Sequence, residues 1–347
     1  MISEKCHRED WIQEKRKEFG NADPLIIEKV IKAFTLLDAL SRQDLSFIFK
    51  GGTALLLLLP EPLRFSIDND IVIDERPDDL QVLFDNIIDQ TIFNSWEEDV
   101  RDLADHIPKG HYKFYYDSIL PGQQESYILL DALFDEKPYS TLISKPVQSP
   151  LIALEESLST VRLPNVDEIL GDKLTAYAPR TTGIPMGEGK QLEIIKQLFD
   201  IGQLFKQAEN LNRVRSSFNT FALKEINYRS QDITPKDVLD DIFHTSKVLG
   251  LRGGDDDVLF DELQAGINRI SSYILSRYTI NEAILDSAKA AYLAQLLRKE
   301  KEKFERFDGQ DLSDILIKGS PLNKLNKVKK IQPEGFYYWY KTIELMD

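Results

Sequence analysis

The chain has 347 residues, of which 42% are apolar and 29% are charged, and this balance is ordinary for a soluble globular protein. It excludes collagen-like, low-complexity and wholly disordered chains. The net charge of −15 disfavours general binding to DNA or to anionic membranes, so a nucleic-acid partner would need a local basic surface. The single cysteine, Cys6, allows neither an intramolecular disulfide nor a cysteine zinc site.

The sequence contains no segment typical of secretion or membrane insertion. Residues 1–17 are heavily charged and lack the apolar stretch of a signal peptide. The longest apolar run, residues 54–60, is far shorter than the ~20 residues that a membrane-spanning helix requires. We therefore expect a cytoplasmic protein with no membrane partner.

Apolar periodicity divides the chain into a mixed first part and a helical second part. The first part predicts helices at residues 25–40, 54–59 and 78–93, and strands at 45–49, 71–73, 112–116 and 127–134. The second part predicts helices at residues 166–177, 191–205, 211–223, 235–248, 260–276 and 282–304. The predicted fold class is α+β (α/β), with a small mixed sheet in a domain at residues 1–150 and a mainly helical domain at residues 151–347.

A glycine pair follows the first predicted strand. Gly51 and Gly52 are succeeded by Thr53 and a short apolar helix. Glycines at a strand-to-helix turn let the backbone approach a ligand closely, and the N–H groups at a helix N-terminus attract anions. The Thr53 hydroxyl can cap the helix or contact a phosphate. Taken alone, the glycine pair is equally typical of an ordinary turn.

Acidic residues mark the start of the next predicted strand. Asp68 and Asp70 are two residues apart, so an extended backbone places both carboxylates on one face. Such carboxylates repel each other unless a cation lies between them, and Mg²⁺ is the usual ion because it takes oxygen ligands and phosphates. Asp131, inside an otherwise apolar strand, is the predicted third ligand of a two-metal site, with Asp135 at the strand end as the alternative.

Gly51-Gly52-Thr53 followed by Arg64-Phe65-Ser66-x-Asp68-x-Asp70 resembles the first motif of the AbiEii/AbiGii (MenT-like) toxin family. Members of that family are nucleotidyltransferases of the DNA polymerase-β superfamily. Residues 168–176, which include Lys173, resemble the family's second motif, with Arg180 beyond it. Residues 196–201, which include Asp200, resemble a later motif, although many members carry an acidic residue in place of Gln197. The resemblance spans residues 47–204.

The resemblance implies roles for these positions. The expected nucleotide-binding residues are Gly51, Gly52, Thr53, Arg64, Ser66 and Lys173, the last as a cation that neutralises triphosphate charge. The expected metal ligands are Asp68, Asp70 and, from its position in the strand, Asp131. The expected catalytic residues are Asp68, Asp70, Asp131, Lys173 and Asp200. For Lys173 and Asp200 the structural alternative is the solvated face of a helix.

The resemblance implies a toxin-type nucleotidyltransferase. The resemblance implies Mg²⁺-dependent transfer of a nucleotide from an NTP to an acceptor, and it favours the tRNA 3′ end as that acceptor. It also implies a cognate antitoxin protein and a connection with phage defence, and the helical domain is expected to complete the nucleotide cleft. Two alternatives remain open: a nucleotidyltransferase of the antibiotic-modifying type, and a non-catalytic nucleotide-binding protein that sequesters a partner.

The C-terminal region is locally basic, in contrast to the acidic chain as a whole. Residues 318–333 contain five lysines and no acidic residue, and an aromatic cluster follows at residues 336–340. Lysines bind phosphates and aromatic side chains stack on unpaired bases, so the region is a candidate RNA-binding surface. The alternative is a packed C-terminal helix with a solvated basic segment. The four histidines, His7, His106, His111 and His244, lack the spacing of metal ligands.

Overall fold

The computed structural model describes residues 1–60, 64–100, 107–155, 158–254, 256–319 and 321–346. His106 therefore lies outside the described residues. The chain forms two compact units. We call residues 1–165 with 272–276 the sheet unit, and residues 166–271 with 277–347 the helical unit.

The sheet unit contains a mixed sheet of seven described strands in the order β3-β4-β5-β2-β1-β7-β6. Neighbours are antiparallel except for the β2–β5 and β1–β7 pairs, which are parallel. This mixed sheet confirms the predicted fold class. The strands are β1 (Ile48–Lys50), β2 (Asn69–Ile73), β3 (Ser95–Glu98), β4 (Lys109–Asp117), β5 (Glu125–Phe134), β6 (Leu142–Pro146) and β7 (Thr160–Pro164).

The compact units divide after Asn165 instead of at the predicted residue 150. Strand β7 accounts for the difference, because it lies beyond residue 150 and pairs with both β1 and β6. The backbone hydrogen bonds of this strand therefore join residues 160–164 to the sheet.

Helix α2 forms much of the core of the sheet unit. The Asp23 side chain caps the helix, Pro24 occupies its first turn, and the helix is buried along most of its length. Asn69 of β2 donates a hydrogen bond from Nδ2 to the backbone oxygen of Ala33, 2.9 Å away, which fixes α2 against the strand. The helices of this unit are α1 (Glu9–Glu18), α2 (Pro24–Ser41), α3 (Gly51–Leu58) and α4 (Leu80–Gln90), with a 3-10 helix at Glu4–His7.

The helical unit is built around α10, which packs against α6, α8 and α12. Thr279 and Glu282 form a capping box at the start of α10. Gly202 of α6 approaches α10 so closely that a Cβ there would lie 2.0 Å from Oδ1 of Asp286. The helices are α5 (Val166–Ala176), α6 (Gln191–Gln207), α7 (Leu211–Tyr228), α8 (Pro235–Leu251), α9 (Asp257–Ile270), α10 (Ile280–Arg298), α11 (Val328–Ile331) and α12 (Pro333–Met346), with a 3-10 helix at Leu322–Lys327.

Four of the five rings of the C-terminal aromatic cluster belong to the core of the helical unit: Phe336, Tyr337, Tyr338 and Trp339. Phe336 and Trp339 of α12 are fully buried, and the Tyr338 ring packs edge-on against Phe205 with centroids 5.1 Å apart. These rings are therefore not available to stack on RNA bases, which corrects the aromatic part of the predicted RNA surface. In the part of the chain that is described, no helix combines the length and the apolar composition needed to cross a membrane.

Candidate active site

The glycine turn joins β1 to α3 in the sheet unit. Lys50 is extended and precedes the helix, and Gly51 begins α3 with a φ of +77°. A Cβ at Gly51 would lie 1.9 Å from Oδ2 of Asp70. Only glycine fits this position, because it tolerates the left-handed backbone and leaves room for the carboxylate. The first N–H groups of α3 have no partners inside the helix, which makes the turn suited to an anion.

The second glycine faces the segment between α3 and β2. A Cβ at Gly52 would lie 2.6 Å from Oγ of Ser66 and 2.7 Å from Nη2 of Arg64. Arg64 is only 7% exposed, and its Nη1 donates a hydrogen bond to the backbone oxygen of Phe65 at 3.0 Å. The structure therefore brings the predicted nucleotide-binding residues Gly52, Arg64 and Ser66 together.

Thr53 links the glycine turn to the carboxylates. Its side chain is fully buried, and its hydroxyl donates a hydrogen bond to the backbone oxygen of Asp68. A buried hydroxyl needs such an acceptor, since leaving the donor unsatisfied costs about 1–3 kcal/mol. In this structure the Thr53 hydroxyl therefore positions the Asp68 segment, and the backbone of the turn is the part that can hold a phosphate.

Polar side chains occupy consecutive paired positions across four strands. Lys50 of β1 pairs with Asp70 of β2, Asp70 pairs with Asp131 of β5, and Asp131 pairs with His111 of β4. Residues paired across a sheet point to the same face, and neighbouring strands lie ~4.8 Å apart. We call these four residues the polar row. It places the predicted carboxylates Asp70 and Asp131 beside each other, although 61 positions separate them in the sequence.

Lys50 and His111 are the two members of the polar row that the sequence analysis did not select as site residues, and His111 contacts a predicted one, Asp131. Its Nδ1 lies 2.6 Å from Oδ1 of Asp131, and its side chain is 9% exposed, against 31% for the aspartate. The hydrogen bond fixes the orientation of the carboxylate on the face of the sheet. Asp135, the alternative to Asp131, follows the end of β5, and its N–H donates a 3.0 Å hydrogen bond to the backbone oxygen of Ile73.

The polar row provides oxygen ligands of the type that Mg²⁺ prefers. Asp70 and Asp131 supply two carboxylates in register, and Asp68 precedes the same strand. Among the described residues, however, no three His, Cys, Asp or Glu side chains are grouped closely enough to hold a metal ion. The donor chemistry therefore fits a divalent cation, whereas the predicted three-carboxylate cluster is not formed in this geometry.

The other two predicted catalytic residues lie in the helical unit, where they form a buried ion pair. Lys173 of α5 and Asp200 of α6 are 9% and 2% exposed at their side chains, with Nζ and Oδ2 3.0 Å apart. The Lys173 ammonium also donates to Oε1 of Gln197 at 2.9 Å. The alternative of a solvated helix face therefore does not apply to either residue. Arg180, the basic residue beyond the second motif, forms an ion pair with Asp256. Tyr177, which lies between Lys173 and Arg180 in the sequence, is fully buried.

A family model described as the nucleotidyl transferase AbiEii toxin of a type IV toxin–antitoxin system matches residues 35–251. The chain therefore belongs to the AbiEii family of nucleotidyltransferase toxins, which confirms the resemblance found in the sequence motifs. Family membership makes the protein a transferase of the nucleotidyltransferase class, and it implies an NTP substrate and an antitoxin partner.

Other comparisons concern individual proteins. JHP933 from Helicobacter pylori is 17% identical in sequence, with 86% of this chain and 94% of that chain covered and a TM-score of 0.45. MenT4, a nucleotidyltransferase toxin from Mycobacterium tuberculosis, is 14% identical, with 90% and 93% covered and a TM-score of 0.42. No curated protein sequence matches the chain.

Proposed function

We propose that this AbiEii-family toxin transfers a nucleotide from an NTP to the 3′ end of tRNA in a Mg²⁺-dependent reaction. The observation that carries the proposal is the close approach of Asp70 to Gly51, where an added Cβ would lie 1.9 Å from Oδ2 of the aspartate. It places a carboxylate, and any cation held by it, directly beside a helix N-terminus that suits phosphate. This juxtaposition is what a site for a metal-bound triphosphate requires.

In the proposed reaction the 3′-hydroxyl oxygen of the acceptor attacks the α-phosphorus of the NTP. A new P–O bond forms, the bond from the α-phosphorus to the bridging oxygen of the β-phosphate breaks, and pyrophosphate leaves. Asp131 receives the hydroxyl proton, and His111 holds the Asp131 carboxylate in place while it does so. The backbone N–H groups at Gly51 and Gly52 bind phosphate oxygens, and transfer of this kind depends mainly on positioning and charge stabilisation.

Asp68 and Asp70 would hold Mg²⁺, which when bound neutralises negative charge on the phosphates and on the leaving group. We extend the proposal to Lys173 and Asp200 because the segments around them, residues 168–176 and 196–201, resemble motifs of the family. In this proposal the Lys173 ammonium contacts the triphosphate, and Asp200 holds that ammonium in position.

A nucleotide added to the tRNA 3′ end would block aminoacylation and arrest translation. This outcome is consistent with a toxin that an antitoxin must restrain, and growth arrest of an infected cell would limit phage replication. NTPs and tRNA meet in the cytoplasm, so the proposal also assigns the reaction to that compartment.

A radiolabel transfer assay tests the proposal. Purified protein, Mg²⁺ and total tRNA are incubated with each α-labelled NTP in turn, with and without EDTA. The test variant is Asp68→Ala. Asp74→Ala is the matched control, because Asp74 directly follows β2 and its side chain is 52% exposed. We expect label on tRNA with one NTP, which is lost with EDTA and in Asp68→Ala but retained in Asp74→Ala.

The alternatives give other outcomes. Label on an aminoglycoside or another small acceptor, with none on tRNA, would assign the antibiotic-modifying activity instead. If the Asp68→Ala variant remains toxic in cells and the wild type labels no acceptor, the protein acts by sequestering a partner. Labelling that is equal in Asp68→Ala and in the wild type would remove the carboxylate from the mechanism.

A further inference from the structure

The lysine-rich segment at residues 318–331 forms an exposed cationic surface on the helical unit. It contains five lysines and no acidic residue in a chain whose net charge is −15. Lys318, Lys324, Lys327 and Lys330 are exposed. Lys329 differs, because its ammonium donates to the backbone oxygens of Ser313 and Ile315 at 2.8 and 2.9 Å. Lys329 therefore anchors the segment, and the other four lysines remain at the surface.

A pocket of about 340 Å³ lies beside this segment. Its charged lining residues are Lys324, Lys327 and Arg252, and none of the residues that line it is acidic. The rest of the lining consists of two amide side chains, one glycine and four apolar side chains, among them Ile284 and Val328. We call this pocket, with Lys324, Lys327 and Arg252, the basic pocket. Its volume is within the range of ~300–1,000 Å³ that is typical of ligand sites.

The two lysines are arranged on one side of their helix. Lys324 and Lys327 belong to the 3-10 helix Leu322–Lys327, in which residues three apart are aligned and separated by a rise of about 6 Å. Within the residues that the structure describes, neither ammonium is part of a salt bridge. Lys289 and Lys341 of the same unit, by contrast, each contact two carboxylates. The basic pocket therefore presents an aligned pair of cations to a ligand.

Arg252 adopts a conformation that is unusual for its residue type. It caps the C-terminus of α8 with φ 57° and ψ 55°, in the left-handed region where glycine is normal and where other residues cost about 1 kcal/mol or more. Its Nη2 donates to Oδ1 of Asn281 at 3.0 Å, which holds the guanidinium at the pocket. Gly253 and Gly254, which would adopt this conformation without strain, come only after Arg252 in the sequence. The residue at the C-cap itself is arginine, and its side chain lines the basic pocket.

We propose that the basic pocket binds the phosphate backbone of an RNA strand, and this inference rests on the proposed RNA acceptor. Lysine ammonium groups bind phosphates as point charges, and an aligned pair suits successive phosphates of one strand. The amide and apolar lining suits the sugar and base of an intervening nucleotide better than it suits an acidic peptide. The pocket lies mostly beyond residue 251, where the match to the family model ends.

The test is a binding titration by fluorescence anisotropy with a labelled single-stranded RNA 12-mer as the probe. The test variant carries Lys324→Gln and Lys327→Gln. The control carries Lys301→Gln and Lys303→Gln, which remove the same charge from an exposed segment where lysine alternates with Glu300 and Glu302. Lys324→Arg with Lys327→Arg is the charge-preserving variant. Melting curves of each protein check that the fold is retained.

We expect the Gln pair in the basic pocket to weaken RNA binding at least tenfold at moderate salt. We also expect it to reduce the slope of log K against log salt by about 1.4, since each contact with a single strand contributes about 0.7. The Lys301/Lys303 variant should bind as the wild type does, and the Arg pair should restore binding. Equal losses in the two Gln variants would show an effect of total charge only and would overturn the inference.

Titrations with other ligands, and a comparison with the transfer assay, separate the inference about the basic pocket from other ligands and from the proposed function. Binding of free ATP or of poly-glutamate that depends on Lys324 and Lys327, with RNA binding unaffected, would overturn the inference in favour of a nucleotide or an acidic protein. RNA binding that depends on these lysines in a protein that transfers no nucleotide would support the basic pocket and reject the proposed function. Transfer of a nucleotide to tRNA, together with unaltered RNA binding in the Gln pair, would support the proposed function and overturn the inference about the basic pocket.

Discussion

The imidazole of His111 holds the carboxylate of Asp131 through a contact of 2.6 Å between Nδ1 and Oδ1, and the two residues face each other in register on β4 and β5. The histidine is nearly buried. The other His–Asp contact among the described residues, between His244 Nε2 and Asp256 Oδ2, is longer at 3.4 Å, and its histidine is more exposed than His111. His111 is therefore suited to position a reacting carboxylate.

Replacing His111 should slow the proposed transfer with little effect on NTP binding. In His111→Leu the Asp131 carboxylate loses its partner, and loss of such a supporting residue typically costs about 10–100-fold in activity. His111→Asn should retain most of the rate, because its amide nitrogen can take the place of Nδ1. Steady-state transfer assays that separate kcat from the KM for NTP measure both effects. His244→Leu is the matched control, and an equal loss in that variant would contradict a specific role for His111.

Alanine at Gly51 should be more damaging than alanine at Gly122. Both glycines have a φ of +77°, but a Cβ at Gly122 would meet no atom within 4 Å, whereas one at Gly51 would collide with Asp70. Gly122→Ala therefore measures backbone strain alone, about 1 kcal/mol. Gly51→Ala adds overpacking, which typically costs about 1–3 kcal/mol, and should also weaken NTP binding. Urea unfolding measures the stability of the two variants, and calorimetric titration with each Mg-NTP measures their NTP binding. Equal losses of stability in Gly51→Ala and Gly122→Ala would show that a Cβ at position 51 does not collide with Asp70.

The elements with strong apolar periodicity were predictable from the sequence. Helices α5 to α10, and strands β2, β4 and β5, lie where the spacing of apolar residues indicated them, although α9 and α10 end six residues before the predicted positions 276 and 304. Helices α11 and α12 were not among the helices predicted from this spacing. Strands β3, β6 and β7 were missed because each has only four or five residues and a mixed polar pattern. Two of them, β3 and β6, are edge strands with one exposed side, which weakens the pattern further.

The candidate site was predictable where its residues are close in sequence. Gly51 and Asp70 belong to one motif, whereas the Asp70–Asp131 contact depends on strand pairing over a long separation. His111 could have been found from the sequence, because Pro121 and Gly122 lie between the predicted strands at residues 112–116 and 127–134 and are typical of a turn. His111 and Asp131 lie ten residues before and ten residues after Pro121, so a symmetric hairpin pairs them.

The Lys173–Asp200 pair allows stability and activity to be separated. In Lys173→Met the Asp200 carboxylate stays buried without its cation, a change that typically costs about 3–5 kcal/mol. The double variant Lys173→Met with Asp200→Leu removes both charges of this ion pair, so most of this stability should return. If Lys173 contacts the triphosphate as proposed, the double variant should still transfer no nucleotide.

Urea unfolding and the radiolabel transfer assay, applied to the wild type and to both variants, measure these effects. Lys196→Met is the control, because Lys196 lies on the same helix as Asp200 and its ammonium is 4.0 Å from Oε1 of Glu193. Recovery of transfer together with stability in the double variant would assign the pair a purely structural role.

The buried carboxylate of Asp286 should make the helical unit less stable as the pH rises from about 4 to about 7. Burial raises the pKa of Asp286 to about 7 from 3.8, against the opposing effect of Lys289. The folded protein therefore retains a proton that the unfolded chain releases, so the free energy of unfolding falls between about pH 4 and pH 7 and levels off above that range.

Asparagine at position 286 imitates the protonated acid and should remove this pH dependence. The difference in the free energy of unfolding between Asp286→Asn and the wild type should grow by on the order of 4 kcal/mol over this range, at about 1.36 kcal/mol per pKa unit. Urea titrations followed by circular dichroism at pH 4, 5.5, 7 and 8 measure the difference. Asp261→Asn, at an exposed position of the same unit, should follow the wild type. A constant difference between Asp286→Asn and the wild type would show that Asp286 is ionised in the folded protein throughout this range.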